Sequence, residues 1–139
     1  MNSVLRLMSR KVLLCDDETH ILRAAQIKLS RSGFEVSCAS DGQEAWELIQ
    51  RQRPDILVTD LQMPRMDGFE LSRRVREHES TRDLPILMLT AKGFEAGYRE
   101  MAEKWGILAV LPKPFSSREL VRCIDNVLTT GSIESPIDP

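Results

Sequence analysis

Five polar residues in this chain stand where short apolar runs stop. Asp16 and Asp17 follow Lys11-Val-Leu-Leu-Cys15, and Asp60 follows Asp55-Ile-Leu-Val-Thr59. Thr90 follows Pro85-Ile-Leu-Met-Leu89, and Lys113 follows Ile107-Leu-Ala-Val-Leu111-Pro112. Brought into one pocket, three carboxylates repel, and at least one has its pKa raised unless a cation intervenes. Oxygen-only ligands favour a hard cation, Mg2+ or Mn2+, over zinc. Mg2+ usually takes one or two carboxylates, keeps waters and leaves a position for a phosphate oxygen. A lysine beside it neutralises phosphoryl charge, and a threonine hydroxyl donates a hydrogen bond to a peripheral oxygen. An aspartate can itself accept the phosphoryl group as an acyl phosphate. The set points to Mg2+-assisted phosphoryl transfer onto an aspartate.

For these residues to meet, the apolar runs must lie side by side with their exits at one edge. Lys11–Cys15, Asp55–Thr59, Pro85–Leu89 and Ile107–Leu111 are short and nearly all apolar, as in strands buried on both faces. Phe34–Ala39 alternates, as a half-exposed strand does. Between the runs lie helical patterns. Ile21, Leu22, Ala25 and Leu29 share one face of a 3.6-period helix. Asp41 with Glu44 and Ser116 with Glu119 read as capping boxes. A weaker helix spans roughly Phe94–Lys104, and the last buries Leu120, Ile124, Val127 and Leu128. Strands alternating with helices imply a doubly wound parallel α/β sheet with helices on both faces. In such sheets function lies outside the C-terminal strand ends, where the five polar residues stand. The 139 residues suffice for one domain. Its expected extent is 10–128, between an extension over 1–9 and a tail or linker over 129–139.

Composition narrows the function. Lys and Arg number 19 and Asp and Glu 21, a net charge of −2, which argues against a dedicated nucleic-acid binder and a polybasic membrane module. No apolar run approaches the ~20 residues of a bilayer span, and Arg6 interrupts the apolar N-terminus, so a secretory signal is not expected. Cys15, Cys38 and Cys123 match neither C-x-x-C nor a zinc spacing. They read as reduced, buried thiols of a cytoplasmic protein.

The chain resembles the receiver domain of two-component response regulators over about Arg10–Leu128. The resemblance rests on Val-Leu-Leu-Cys-Asp16-Asp17-Glu18, Asp55-Ile-Leu-Val-Thr-Asp60-Leu-Gln-Met-Pro64-Arg-Met-Asp-Gly68, Pro85-Ile-Leu-Met-Leu-Thr90-Ala91 and Lys113-Pro114-Phe115, four motifs in order. It implies a flavodoxin-like five-stranded sheet of order 2-1-3-4-5 with five helices. It implies Asp60 as phosphoacceptor, with Mg2+ (or Mn2+) held by Asp17, by Asp16 mainly through water, by Asp60 and by the Gln62 backbone carbonyl. Lys113 then pairs with the phosphoryl group, Thr90 hydrogen-bonds it, and the Lys113–Pro114 peptide is cis. The resemblance further implies that the chain is no enzyme beyond catalysing its own phosphorylation and dephosphorylation. In that family the positions of Gln62 and Lys92 border the path of the hydrolytic water, and Lys92 is expected to prolong the phosphoryl lifetime to minutes or hours.

The phosphodonor implied is a sensor histidine kinase or a histidine phosphotransfer protein, met by the first helix around Ile21. A downstream protein, or a second copy, is expected on the face of helix four and strand five, with no direct nucleic acid or membrane contact. One departure stands out. Three positions before Lys113, where many receivers carry a switching aromatic residue, stands Val110 with a stiff χ1. That leaves a pseudo-receiver, a phosphorylation-independent interaction module, as the alternative. Two other classes fail on local residues. Dehalogenase-like hydrolases need a second acid where Gln62 stands, and Asp16-Asp17-Glu18 would repel a flavin phosphate. Arg73, Arg74 and Arg76 read as a solvated helix face. Trp46 and Trp105 read as packing residues, and His20 as an exposed residue, since Mg2+ prefers oxygen.

Overall fold

Alternation of apolar runs with amphipathic stretches produces alternation of strands with helices. The computed structural model describes residues 9–91 and 96–131. In chain order the elements are β1 (Lys11–Cys15), α1 (Thr19–Arg31), β2 (Glu35–Ala39), α2 (Gly42–Arg51), β3 (Ile56–Asp60), α3 (Gly68–Glu77), β4 (Ile86–Thr90), α4 (Ala96–Lys104), β5 (Ala109–Pro112) and α5 (Ser117–Thr130). The strands form one parallel sheet in the order β2-β1-β3-β4-β5. This is the doubly wound order that the resemblance implies. Lys92 lies outside the described residues, as does the expected start of the fourth helix at Phe94.

Burial follows position in the sheet. The central β3 and β4 are buried at every residue, and β2, an edge strand, alternates as Phe34–Ala39 foretold. Because successive side chains point to opposite faces, the strands feed two cores. Leu13, Leu57 and Met88 pack with Trp46 and Ile49 of α2, Leu71 and Val75 of α3 and Ala102 of α4. Val12, Leu14, Val58 and Leu87 pack with Ala25 and Leu29 of α1 and with Leu120, Ile124 and Val127 of α5. Complete burial of each Val, Leu, Ile or Met side chain among them stabilises by about 1.5–3 kcal/mol. The caps act as their types predict. Asp41 accepts from the Glu44 amide at 2.8 Å, and Ser116 accepts from the amides of Arg118 and Glu119.

Four expectations are corrected. First, β5 begins at Ala109, two residues later than its apolar run. The Ile107 amide is taken by Ala102 O at 2.8 Å, so Ile107 belongs to the turn leaving α4 and fills the first core. The apolar run Ile107–Leu111 is therefore mostly turned inward, with Leu108, Val110 and Leu111 half-buried. Second, α5 continues to Thr130, past the expected end at Leu128. Third, only Cys15 is buried, whereas Cys38 and Cys123 are half-buried; all three thiols are free. Fourth, the arginine triplet is not one solvated face. Arg73 and Arg74 pair with Glu70, but Arg76 donates to the carbonyls of Trp105, Arg82, Leu84 and Gly106. It pins the α4–β5 turn and the β4 approach to α3.

Candidate functional site

The parallel register delivers the polar strand exits to one edge. Asp16 extends the β1–β2 ladder by one bond, its amide donating to Ala39 O at 3.1 Å. Asp60 is the last residue of β3 and lies opposite Leu89 of β4. Thr90 is the last residue of β4, and its carbonyl accepts from the Lys113 amide at 2.7 Å, which ties the β5–α5 turn to the strand. The Lys113–Pro114 peptide in that turn is cis, as the resemblance implied.

One oxygen from each of Asp16, Asp17 and Asp60 lies within 4.8 Å of the other two. Asp16 and Asp60 are buried and Asp17 is exposed. Lys113 Nζ stands among them, 2.7 Å from Asp16 Oδ2 and 3.3 Å from Asp60 Oδ2. It also meets a residue that sequence reasoning did not assign to the site, Glu18, at 2.9 Å. Its signal lay in plain sight in Asp16-Asp17-Glu18, but only the fold shows that Glu18 faces the lysine. Asp16 and Asp17 are not helix caps. The N-cap of α1 is Glu18, whose side chain makes no cap bond, while Asp16 Oδ1 accepts from the Glu18 amide at 2.9 Å. His20 is exposed and outside the carboxylate group. Gln62 lies exposed in the loop two residues beyond Asp60.

The electrostatics follow from three carboxylates, Asp16, Glu18 and Asp60, around one ammonium, with Asp17 adding to the negative field at Asp60. Burial, reinforced by Asp16 and Asp17, pushes the Asp60 carboxyl up to about 6, against the pull of Lys113. Burial alone would lower the Lys113 pKa, but Asp16, Glu18 and Asp60 outweigh it and raise it. The Lys113 ammonium in turn holds Glu18 below the usual carboxylate range. Asp16 Oδ2, fully buried, meets Lys113 as an ion pair but receives no well-directed hydrogen bond. An under-coordinated buried oxygen within a group of three carboxylates fits a hard divalent cation.

A cavity of about 190 Å³ adjoins Lys113, lined by His20, Ile21, Ala24, Pro114, Phe115 and Ser117. A second, of about 430 Å³, lies at the opposite end of the strands, beside Lys11, Glu35, Leu48 and Arg51, and is remote from the carboxylates.

Residues 12–125 match the family model described as the response regulator receiver domain. The transcriptional regulatory protein SrrA of Staphylococcus aureus is 43% identical over 114 residues, covering 82% of this chain and 46% of that protein. The alkaline phosphatase synthesis transcriptional regulatory protein PhoP of Bacillus subtilis is 36% identical over 129 residues, covering 93% of this chain and 52% of that protein. The chain thus spans about half the length of the curated relatives it matches. Among solved structures, the receiver domain of sensor histidine kinase PA1611 from Pseudomonas aeruginosa PAO1 is similar at a TM-score of 0.79 and 30% identity, covering 88% of this chain and 99% of that one. That structure is described with a magnesium ion coordinated in its active site cleft. Both curated relatives are named transcriptional regulators, so the expected absence of nucleic-acid contact gains no support from them. Among the described residues, no helix is long and apolar enough to cross a membrane.

Proposed function

The chain belongs to the response regulator receiver domain family, and we propose that it accepts a phosphoryl group on Asp60 from a phosphohistidine with Mg2+ in the carboxylate pocket. The supporting observation is the meeting of Asp16, Asp17 and Asp60 within 4.8 Å, with the Lys113 ammonium against Asp16 and Asp60. Asp16, Asp17 and Asp60, with the Gln62 carbonyl, would hold the ion. When bound, Mg2+ supplies charge neutralisation and a fixed position for a phosphoryl oxygen.

The chain's own residues do the rest. With a pKa of about 6, Asp60 is mostly ionised at neutral pH and has a lone pair to offer. A carboxylate oxygen forms the new P–O bond as the P–N bond to the donor imidazole breaks, and the imidazole leaves with that electron pair. Lys113 stays close enough to balance the charge that arrives, and Thr90, at the neighbouring strand end, supplies a hydroxyl to a peripheral oxygen. Water later hydrolyses the acyl phosphate, so the only turnover is on the chain itself. The groove at His20, Ile21, Ala24 and Phe115 gives the donor protein an apolar approach beside Lys113. Phosphorylation shifts a two-state population that a downstream partner reads. Val110, half-buried against the same core as Tyr98 and Trp105, cannot swing as an aromatic ring does, so the response passes through Thr90 and the α4–β5 packing.

The test is intact-mass spectrometry after incubation with acetyl phosphate, with and without Mg2+, on the wild type and Asp60→Asn. One phosphoryl group gained, dependent on both Mg2+ and Asp60, supports the reading. No gain by a folded, Mg2+-binding protein, from acetyl phosphate or from a phosphohistidine protein, favours the phosphorylation-independent interaction module.

A further inference from the structure

The loop between Asp60 and α3 contains a tight turn within a wider closure. The Gly68 amide returns to Leu61 O at 2.8 Å and closes it. Inside, the Met66 amide donates to Pro64 O at 2.7 Å, forming a three-residue turn about Arg65, whose φ is +67°. Arg65 is the only non-glycine residue with a positive φ among the described residues. A side chain there is disfavoured, and such a turn is strained. Strain of this kind persists only where surrounding contacts over-determine it.

Those contacts converge on the start of α2. The Arg65 guanidinium forms an ion pair with Asp41, whose side chain is only 5% exposed and also caps α2. The Glu44 amide, with Arg65 assisting, outweighs burial and keeps the Asp41 carboxyl below its usual range, so it stands ready as an anion. Beside it, Gly42 presses against the turn, because a Cβ there would sit 2.4 Å from Met66 O. The Cys15 thiol, one residue before Asp16, donates to Asp41 O and contacts Met63 Sδ, each at 3.3 Å. At the loop's far end a Cβ on Gly68 would lie 2.6 Å from Asp60 O, so the start of α3 bears directly on the Asp60 backbone. The turn, the α2 cap and the Asp60 peptide therefore form one packed unit.

We propose that Arg65 and Asp41 are positioning residues: their ion pair holds the strained Pro64–Met66 turn and thereby sets the Asp60 loop for Mg2+. This inference rests on the receiver reading above. It separates geometry from stability. The Arg65 side chain is 74% exposed, and an ion pair with so exposed a partner adds little to global stability. Outer residues that orient metal ligands nevertheless alter affinity by about 10–100-fold, and a contact one step further out is expected to exceed threefold.

The experiment compares wild type, Asp41→Asn, Arg65→Ala and the double variant by calorimetric titration with MgCl2, alongside urea unfolding in EDTA. Asparagine caps a helix as well as aspartate does, so Asp41→Asn removes the charge and keeps α2. If Arg65→Ala fails to fold, Arg65→Gly replaces it, since glycine adopts the positive φ freely. The expected result is Mg2+ affinity at least about threefold weaker in each single variant, the double variant no weaker than the singles, and nearly unchanged urea midpoints. Affinities within twofold of wild type, or losses matched by falling midpoints, would overturn the assignment. Failure of the wild type itself to bind Mg2+ is a separate result, and it defeats the receiver reading together with this inference.

Discussion

Replacing Asp60 by asparagine is expected to make the metal-free protein more stable at neutral pH, although it removes the proposed phosphoacceptor. In the fold, burial and the charges of Asp16 and Asp17 raise the Asp60 pKa from 3.8 to about 6. The sign follows from linkage. A raised pKa means that the folded state holds the proton more tightly than the unfolded chain does. Its stabilising contribution is complete below about pH 4 and is lost as pH rises through about 6. A rise of about two units corresponds to roughly 3 kcal/mol of destabilisation at pH 7.5. Asparagine keeps the shape without the charge. It gives up the 3.3 Å contact with Lys113, but that ammonium keeps Asp16 and Glu18. The net gain should be about 1–3 kcal/mol at pH 7.5, shrinking to nothing near pH 4. Urea unfolding in EDTA, followed by the fluorescence of Trp46 and Trp105 from pH 4 to 8, measures it. Adding Mg2+ should then stabilise the wild type by mass action and the variant far less. A wild type as stable as the variant at pH 7.5 without metal would refute the claim that ionised Asp60 is held at a cost.

Three further outcomes follow from the same geometry. Mg2+ affinity should be nearly flat above pH 7 and fall by up to tenfold per pH unit below about 6, as Asp60 takes up its proton; a titration series with MgCl2 at fixed ionic strength tests this. Lys113→Gln leaves Asp16, Glu18 and Asp60 without their ammonium, so it should lower metal-free stability by about 3 kcal/mol and slow acetyl-phosphate labelling at least tenfold, read by urea unfolding and intact mass. Arg76→Ala removes the donor to the carbonyls of Trp105, Arg82, Leu84 and Gly106 and should cost about 2–4 kcal/mol. Its labelling rate under conditions where it remains folded should match the wild type, because none of these carbonyls touches the carboxylate pocket.

The parts of the fold legible in sequence were those governed by local periodicity and by chain direction. The apolar runs mark the strands within one residue, except at Ile107, where the run spans a turn and a strand and composition cannot divide them. Asp41 and Ser116 announced their helices because a cap acts within three residues of its own position. The arginine triplet misled because residues 73, 74 and 76 look alike in one dimension. Only the fold places carbonyls from four different residues around the third of them. Glu18 escaped notice because its role depends on a lysine 95 positions away.

Sequence by itself determined that five polar residues leave a parallel sheet at one edge. In parallel strands joined by right-handed crossovers, every C-terminal end points the same way, so their meeting requires no knowledge of side-chain positions. Tertiary structure alone decided how the charges are shared. It brought Lys113 to three carboxylates at once, raised the Asp60 pKa by burying it, and set Arg65 in a strained turn opposite Asp41. Those properties depend on distances of a few ångströms and on the exclusion of water, and neither is written in the order of residues along the chain.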